Sequence, residues 1–164
     1  MEIAGEQLRM ARLAFGFTLE ALGEQVGATR QHLHLLETGA RSPSDDLLMA
    51  LCDVLGVTRG FLAAPMASTV RPEQCHFRGH ITRPASVTSQ VLARGTLLDR
   101  LVAEIEKYVD LPVVDFPDYP VECPEDIEQA AEAARDHWLL GSDTPILNVM
   151  RVVENAGALV TYFD

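Results

Sequence analysis

Four residues in one short stretch carry chemistry suited to the edge of a base pair. Arg30 can grip guanine O6 and N7 with two hydrogen bonds, and Gln31 can pair in the same two-point manner with adenine N6 and N7. His34 adds a ring nitrogen. Leu35 offers an apolar contact to a thymine methyl group or, equally, to a partner protein. His32 reaches a phosphate or a base, depending on docking. Leu33 and Leu36 are apolar positions of the same stretch; burying them on a helix turns Arg30, Gln31, His34 and Leu35 outward.

Other chemistries are more poorly supported. Glu73, His76 and His80 stand at i, i+3 and i+7 with Cys75 adjacent, a spacing that could ligate zinc or iron on one continuous helix. Pro72, Gly79 and Pro84 oppose such a helix and nothing fixes a fourth ligand, so no metal site is expected. His137 beside Trp138 reads as a helix-face residue, and Glu104, Glu106, Glu125 and Asp126 as solvated acids. There is no Gly-x-Ser-x-Gly elbow, no phosphate-binding glycine loop and no His-Glu-x-x-His helix, so neither catalysis nor a cofactor is expected. Cys52, Cys75 and Cys123 are odd in number, far apart and without a CxxC pair. They read as reduced thiols.

Charge limits where nucleic acid could bind. Thirteen basic against twenty-four acidic residues give a net −11, a field that repels nucleic acid at long range. Residues 1–64 hold five arginines and eight acids, net −3, whereas residues 65–164 hold eight basic and sixteen acidic residues, net −8. Any nucleic-acid chemistry therefore belongs to the first part. At 164 residues and 48% hydrophobic, the chain can build one full core or two small ones. No apolar run approaches the roughly 18–20 residues of a membrane span. Met1-Glu2-Ile3-Ala4-Gly5-Glu6 lacks the regions of a signal peptide, which predicts a cytoplasmic protein with no membrane partner.

The elements that must hold these side chains are marked by punctuation. Gly5 to Ala14 places Leu8, Ala11 and Phe15 at helical spacing, and Gly16 stops the run. Thr18 reads as the cap of a short helix burying Leu22 and Val26 and ending at Gly27. Thr29 caps Arg30–Glu37, which Gly39 ends. Ser44 caps a helix burying Leu47, Leu48, Leu51 and Leu55, and Thr58 opens a last turn through Phe61 and Leu62. The second and third helices, joined by so short a break, must cross steeply and leave one flank of the third open to a groove. Thr18 can present the N-terminus of its helix to a phosphate.

This pattern resembles the helix-turn-helix domains of phage-repressor and Cro-type regulators, the XRE-like family. The residues carrying the resemblance are Thr18-Leu19-Glu20-Ala21-Leu22-Gly23, Val26-Gly27-Ala28-Thr29-Arg30, Leu33, Leu36-Glu37-Thr38-Gly39, Pro43 and Leu55-Gly56-Val57. The resemblance covers residues 5–63. It implies a five-helix, lambda-repressor-like domain in which Thr29–Thr38 is the recognition helix. Arg30, Gln31, His34 and Leu35 would read bases, and Thr18, Thr29, His32, Thr38 and Arg41 would hold the DNA backbone. Thr38 and Arg41 are placed there by likeness to the family's backbone-contacting loop. Arg12 and Glu37 fall where the family pairs a first-helix Arg with a third-helix Glu, which implies a structural ion pair locking the recognition helix. Leu19 departs from the pattern, because the family usually carries a Gln there that braces a phosphate.

Residues 65–71 read as a linker and residues 72–164 as a second, acidic and mostly helical α(+β) domain. Within it Thr88–Asp110 is the longest helical candidate. Val91, Leu98 and Ile105 recur every seven residues, with Leu101 and Tyr108 at offset positions: a short coiled-coil-like seam, weakened by Gly95. The seam either packs inside the chain against Ile127–Trp138 or joins two copies into a dimer. Pro124–Leu140 should bury Ile127, Ala131, Ala134 and Trp138 along one face. Thr144 should cap a helix from Pro145, with Ile146, Val149 and Val153 inward, and Ala158–Phe163 reads as a closing strand.

Phe77-Arg78, Ile127-Glu128-Gln129-Ala130-Ala131, Trp138-Leu139-Leu140-Gly141, Pro145-Ile146-Leu147-Asn148 and Glu154-Asn155-Ala156-Gly157 resemble the opening of ImmA/IrrE-type domains. That family often fuses an XRE-like domain to a zinc peptidase-like one. Its His-Glu-x-x-His helix would fall beyond Asp164, so the resemblance implies an incomplete, peptidase-inactive module.

Together these readings predict a sequence-specific DNA-binding regulator, a repressor that binds a palindromic operator on double-stranded DNA as a homodimer. A protein partner could meet the acidic C-terminal half. The alternative is a protein-interaction module of antitoxin or phage-immunity type, which the acidity, Leu19 and the outward Leu35 would favour.

Overall fold

Hydroxyl side chains open four of the first five helices. The Thr18, Thr29, Ser44 and Thr58 oxygens accept from the backbone N–H of Ala21, His32, Leu47 and Phe61 at 3.0, 3.2, 3.3 and 3.1 Å. Each satisfies an N–H that has no partner inside its own helix, worth about 1 kcal/mol. The helices so defined are α2 (Leu19–Val26), α3 (Arg30–Glu37), α4 (Asp45–Leu55) and α5 (Arg59–Ala63), preceded by α1 (Gly5–Ala14). Gly27 and Gly56 end α2 and α4 in the left-handed region, at φ 67° and 60°. The structure, a computed structural model, describes residues 3–66, 69–76 and 84–162.

Leu8, Leu22, Leu33, Leu36, Leu48, Leu51, Leu55 and Leu62 converge into one buried core under these five helices. At Gly5 a β-carbon would run into the carbonyl oxygens of Leu36 and Glu37, so only glycine lets α1 cross the end of α3 this closely. Gln7 is fully buried on α1, and neither its amide nitrogen nor its amide oxygen has a partner among the described residues. Such a group costs about 1–3 kcal/mol. Gln7→Met keeps the side chain's length and removes the orphaned dipole. It should raise the urea-unfolding stability by about that amount, and a loss would mean the amide is paired.

After a single 3-10 turn at Pro72–Gln74 comes α6 (Ala85–Ile105), which packs on α1. Its buried side is made of Ala93, Thr96 and Leu97, set against Met10, Ala14, Leu13, Phe61 and Met66. Polar contacts fix the same side. Arg94 Nε donates to the Ala14 carbonyl at 2.8 Å, and the Arg100 guanidinium lies 5.4 Å over the Phe61 ring. Thr96 Oγ1 accepts from Val70 N–H at 3.0 Å and donates to the Leu92 carbonyl at 2.9 Å.

The compact units therefore divide after Ile105, into residues 1–105 and 106–164, instead of at the expected linker over 65–71. The small Ala93 and Thr96 let α6 approach α1 closely. That is why the heptad side is not the buried one. Val91, Leu101 and Ile105 lie exposed and Leu98 half-buried, while Tyr108 lies past the end of the helix.

The second unit contains α7 (Pro124–His137) and α8 (Val149–Asn155), and Ala156 is its one buried residue among those described. Trp138 organises it: its Nε1 donates to the Asp115 carbonyl at 2.9 Å and its ring meets the edge of Phe116 at 5.4 Å. The Asp115 N–H in turn donates to the Ala156 carbonyl at 2.9 Å.

Three expectations fail here. No strand occurs among the described residues: the Ala158 N–H donates back to the Val153 carbonyl at 3.1 Å, and residues 158–162 join no ladder. The last helix starts at Val149, not Pro145. Asn148 caps it by accepting from Arg151 N–H at 3.0 Å, while the Thr144 carbonyl is taken by the Arg135 guanidinium. Ile127 and Ala131 on α7 and Val149 on α8, all expected inward, are exposed.

Candidate nucleic-acid interface

The presenting scaffold is α2, the turn at Gly27–Thr29 and α3. The turn is closed by Ala28 N–H donating to the Gly23 carbonyl at 2.9 Å. Burial of Leu33, Leu36 and Glu37 orients α3, and the opposite side carries Arg30, Gln31 and His34, all exposed.

One guanidinium ties three segments behind this face. Arg12 Nε and Nη2 donate to Glu37 Oε1 and Oε2 at 2.6 and 3.0 Å, and Arg12 Nη1 donates to the Phe17 carbonyl at 2.8 Å. Both side chains are buried. The fork geometry of arginine against a carboxylate is directional as well as strong. It thereby sets the end of α3 and the entry to α2 against α1.

Arg30 is not free on the outer face. Its Nε lies 3.0 Å from Glu20 Oε1, a pair in which both side chains remain more than half exposed. Leu19, Arg30, Gln31 and His34 line a hollow of about 330 Å³. Leu19 and Leu35 are both half-buried; Leu19, which also packs against the leucine core, lines that hollow, and Leu35 does not. His32 is also half-buried, and its Nε2 is shielded from solvent with no partner among the described residues. That nitrogen is not presented to solvent.

The residues expected on the backbone differ in what they can donate. Thr18 and Thr29 use a lone pair to accept their capping bonds, so each hydroxyl hydrogen remains for a phosphate oxygen. The Thr38 hydroxyl donates to the His34 carbonyl at 3.0 Å, and its hydrogen is spent inside the helix end. Arg41 is exposed, its N–H donating to the Leu35 carbonyl at 3.1 Å beyond the left-handed Gly39. Arg9, which the sequence reading did not single out, lies on α1 and lines a second hollow with His34 and Thr38.

Residues 3–64 match a family model described as a helix-turn-helix domain. The chain carries such a domain, and the match supports a DNA-binding regulator. No curated protein and no solved structure matches the chain. Glu20 and Leu19 are the helix-turn-helix residues whose part at the face escaped sequence reasoning. Glu20 is ten positions from Arg30 in the chain, and only the crossing of α2 with α3 brings the two together.

Elsewhere the expected groups lie apart. Glu73 falls in the 3-10 turn and His76 follows it in non-helical chain, so they do not share a helix face; His80 is outside the described residues. His137 Nε2 lies 2.7 Å from Asp115 Oδ1 in the second unit. The three cysteines are free thiols, and burial pushes that of Cys52 up from its ordinary value. No described helix is long and apolar enough to cross a membrane.

Proposed function

We propose that the protein is a sequence-specific transcription regulator of the XRE-like kind, which represses by occupying a palindromic operator as a dimer. The observation that carries this reading is the outer face of α3, where exposed Arg30, Gln31 and His34 stand on a helix locked from behind by Arg12 and Glu37. In the major groove the paired donors of arginine match guanine O6 and N7, and the donor and acceptor of glutamine match adenine N7 and N6. Thr18, Thr29 and Arg41 supply backbone contacts that set register without reading sequence. The acidic second half is a regulatory module similar to the opening of an ImmA/IrrE-type domain, and keeps non-specific affinity low in a cytoplasmic protein. No catalytic step is assigned to the chain.

The dimer would form through the outer side of α6. Leu101 is 56% exposed, and Val91 and Ile105 share that side of a helix whose other side is packed on α1. Two copies joined there would carry two recognition helices, which a palindromic site requires about 34 Å apart on one DNA face. The double variant Leu101→Glu/Ile105→Glu should sediment as a folded monomer and bind a full operator no more tightly than a half-site. A variant that remains dimeric would place the interface elsewhere.

Selection from random duplexes at about 100 mM salt, near physiological strength, tests the central reading. Enrichment of a palindrome with one-turn half-site spacing is expected. No enrichment by folded protein would favour the protein-interaction module.

A further inference from the structure

The hollow on the outer face of α3 joins features that no general phosphate grip would combine. Its floor includes apolar Leu19, and Arg30, Gln31 and His34 supply N–H donors around it. Beside it stands the Glu20 carboxylate, held to Arg30 through Nε at 3.0 Å. A carboxylate at this point repels phosphate, so the hollow suits base edges better than backbone. Because Glu20 takes the inner nitrogen of the guanidinium, Nη1 and Nη2 remain for guanine O6 and N7. In the major groove a thymine offers a C5-methyl and an O4 acceptor together, whereas a cytosine offers an N4 donor and no methyl. The methyl matches Leu19, and O4 matches an N–H of Gln31 or His34.

We propose that this hollow is a reading subsite for a 5-methylpyrimidine next to a guanine, with Glu20 as the positioning residue for Arg30. The inference rests on the DNA-binding reading above and specifies the base chemistry of that site. It assigns to Leu19, where the resemblance led to a Gln, the apolar contact expected of Leu35.

The test uses the full chain and duplexes of the selected site. Replacing the thymine beside the guanine by deoxyuridine removes only the methyl and should weaken binding about four-fold, the equivalent of the ~0.8 kcal/mol of one buried methylene-sized group. Replacing it by 5-methylcytosine keeps the methyl but turns O4 into a donor. Binding that recovers to the thymine level would make the methyl the whole signal, and binding that stays low would make O4 part of it; either supports the subsite.

Leu19→Ala should bind the thymine and deoxyuridine duplexes equally. Glu20→Gln should lose preference for guanine at the adjoining position while binding random duplex more tightly, because a negative charge has gone; a merely structural role would not produce that opposed pair. Equal binding of thymine and deoxyuridine duplexes by the unaltered protein overturns the subsite and leaves the DNA-binding reading standing. So does a selected site with no thymine beside a guanine. Failure to select any site overturns both.

Discussion

Arg12→Ala should destabilise the first unit by about 3–5 kcal/mol, the usual cost of removing one member of a buried, hydrogen-bonded ion pair. The loss has two parts. Glu37 would keep a buried carboxylate without its fork of donors, and the Phe17 carbonyl would lose the Nη1 bond that holds the entry to α2. Arg12→Met/Glu37→Leu, which replaces the charges by apolar volume, should cost far less, because no uncompensated charge remains. Urea unfolding of the three proteins decides the matter: equal losses in the single and double variants would show that shape, not charge, matters at this crossing. Either variant that folds should bind DNA less well than its stability alone implies, since the pair sets α3 against α1 and α2.

Arg30→Ala/Gln31→Ala should remove about 100-fold or more of specific affinity, since each two-point base contact is worth roughly 1–3 kcal/mol. Non-specific binding should fall too, but far less, because one positive charge is lost and the Glu20 carboxylate is left exposed beside it. Titration of a selected duplex against a scrambled one, at one salt concentration, measures both quantities. The stability of the double variant should match that of the parent, both side chains being exposed. If discrimination survives, the reading face lies elsewhere on the domain.

The local part of this fold was legible because its causes are local. A hydroxyl at Thr18, Thr29, Ser44 or Thr58 meets an N–H three residues on, and a glycine at 27 or 56 takes the left-handed conformation within its own turn. Leucine spacing likewise marked the inner sides of α3 and α4. Where apolar residues stood on both sides of a helix, the same logic failed. α6 carries Val91, Leu98, Leu101 and Ile105 on one side and Ala93, Thr96 and Leu97 on the other, and the heptad was the more conspicuous pattern. Close packing on α1 favours the side with small residues, and Arg94 and Arg100 add polar contacts to that side.

The second unit shows the same limit. Ala158–Phe163 reads as a strand in the sequence, but a strand exists only as a pair, and residues 158–162 join no ladder among the described residues. Asn148 outcompeted Thr144 as a helix start, with the Thr144 carbonyl engaged by Arg135 from a neighbouring helix.

From its order of residues alone the chain specifies five short helices with their caps, the leucine core beneath them and the outward row of Arg30, Gln31 and His34. These follow from interactions within about four residues and from helical periodicity. Three-dimensional packing settles the rest: that α6 belongs with the helix-turn-helix unit, that Glu20 holds Arg30, that Leu19 and not Leu35 lines the hollow beside Arg30, and that His32 keeps its Nε2 inside. Each depends on groups distant in the chain whose meeting is set by how helices cross, and a one-dimensional pattern does not contain a crossing angle.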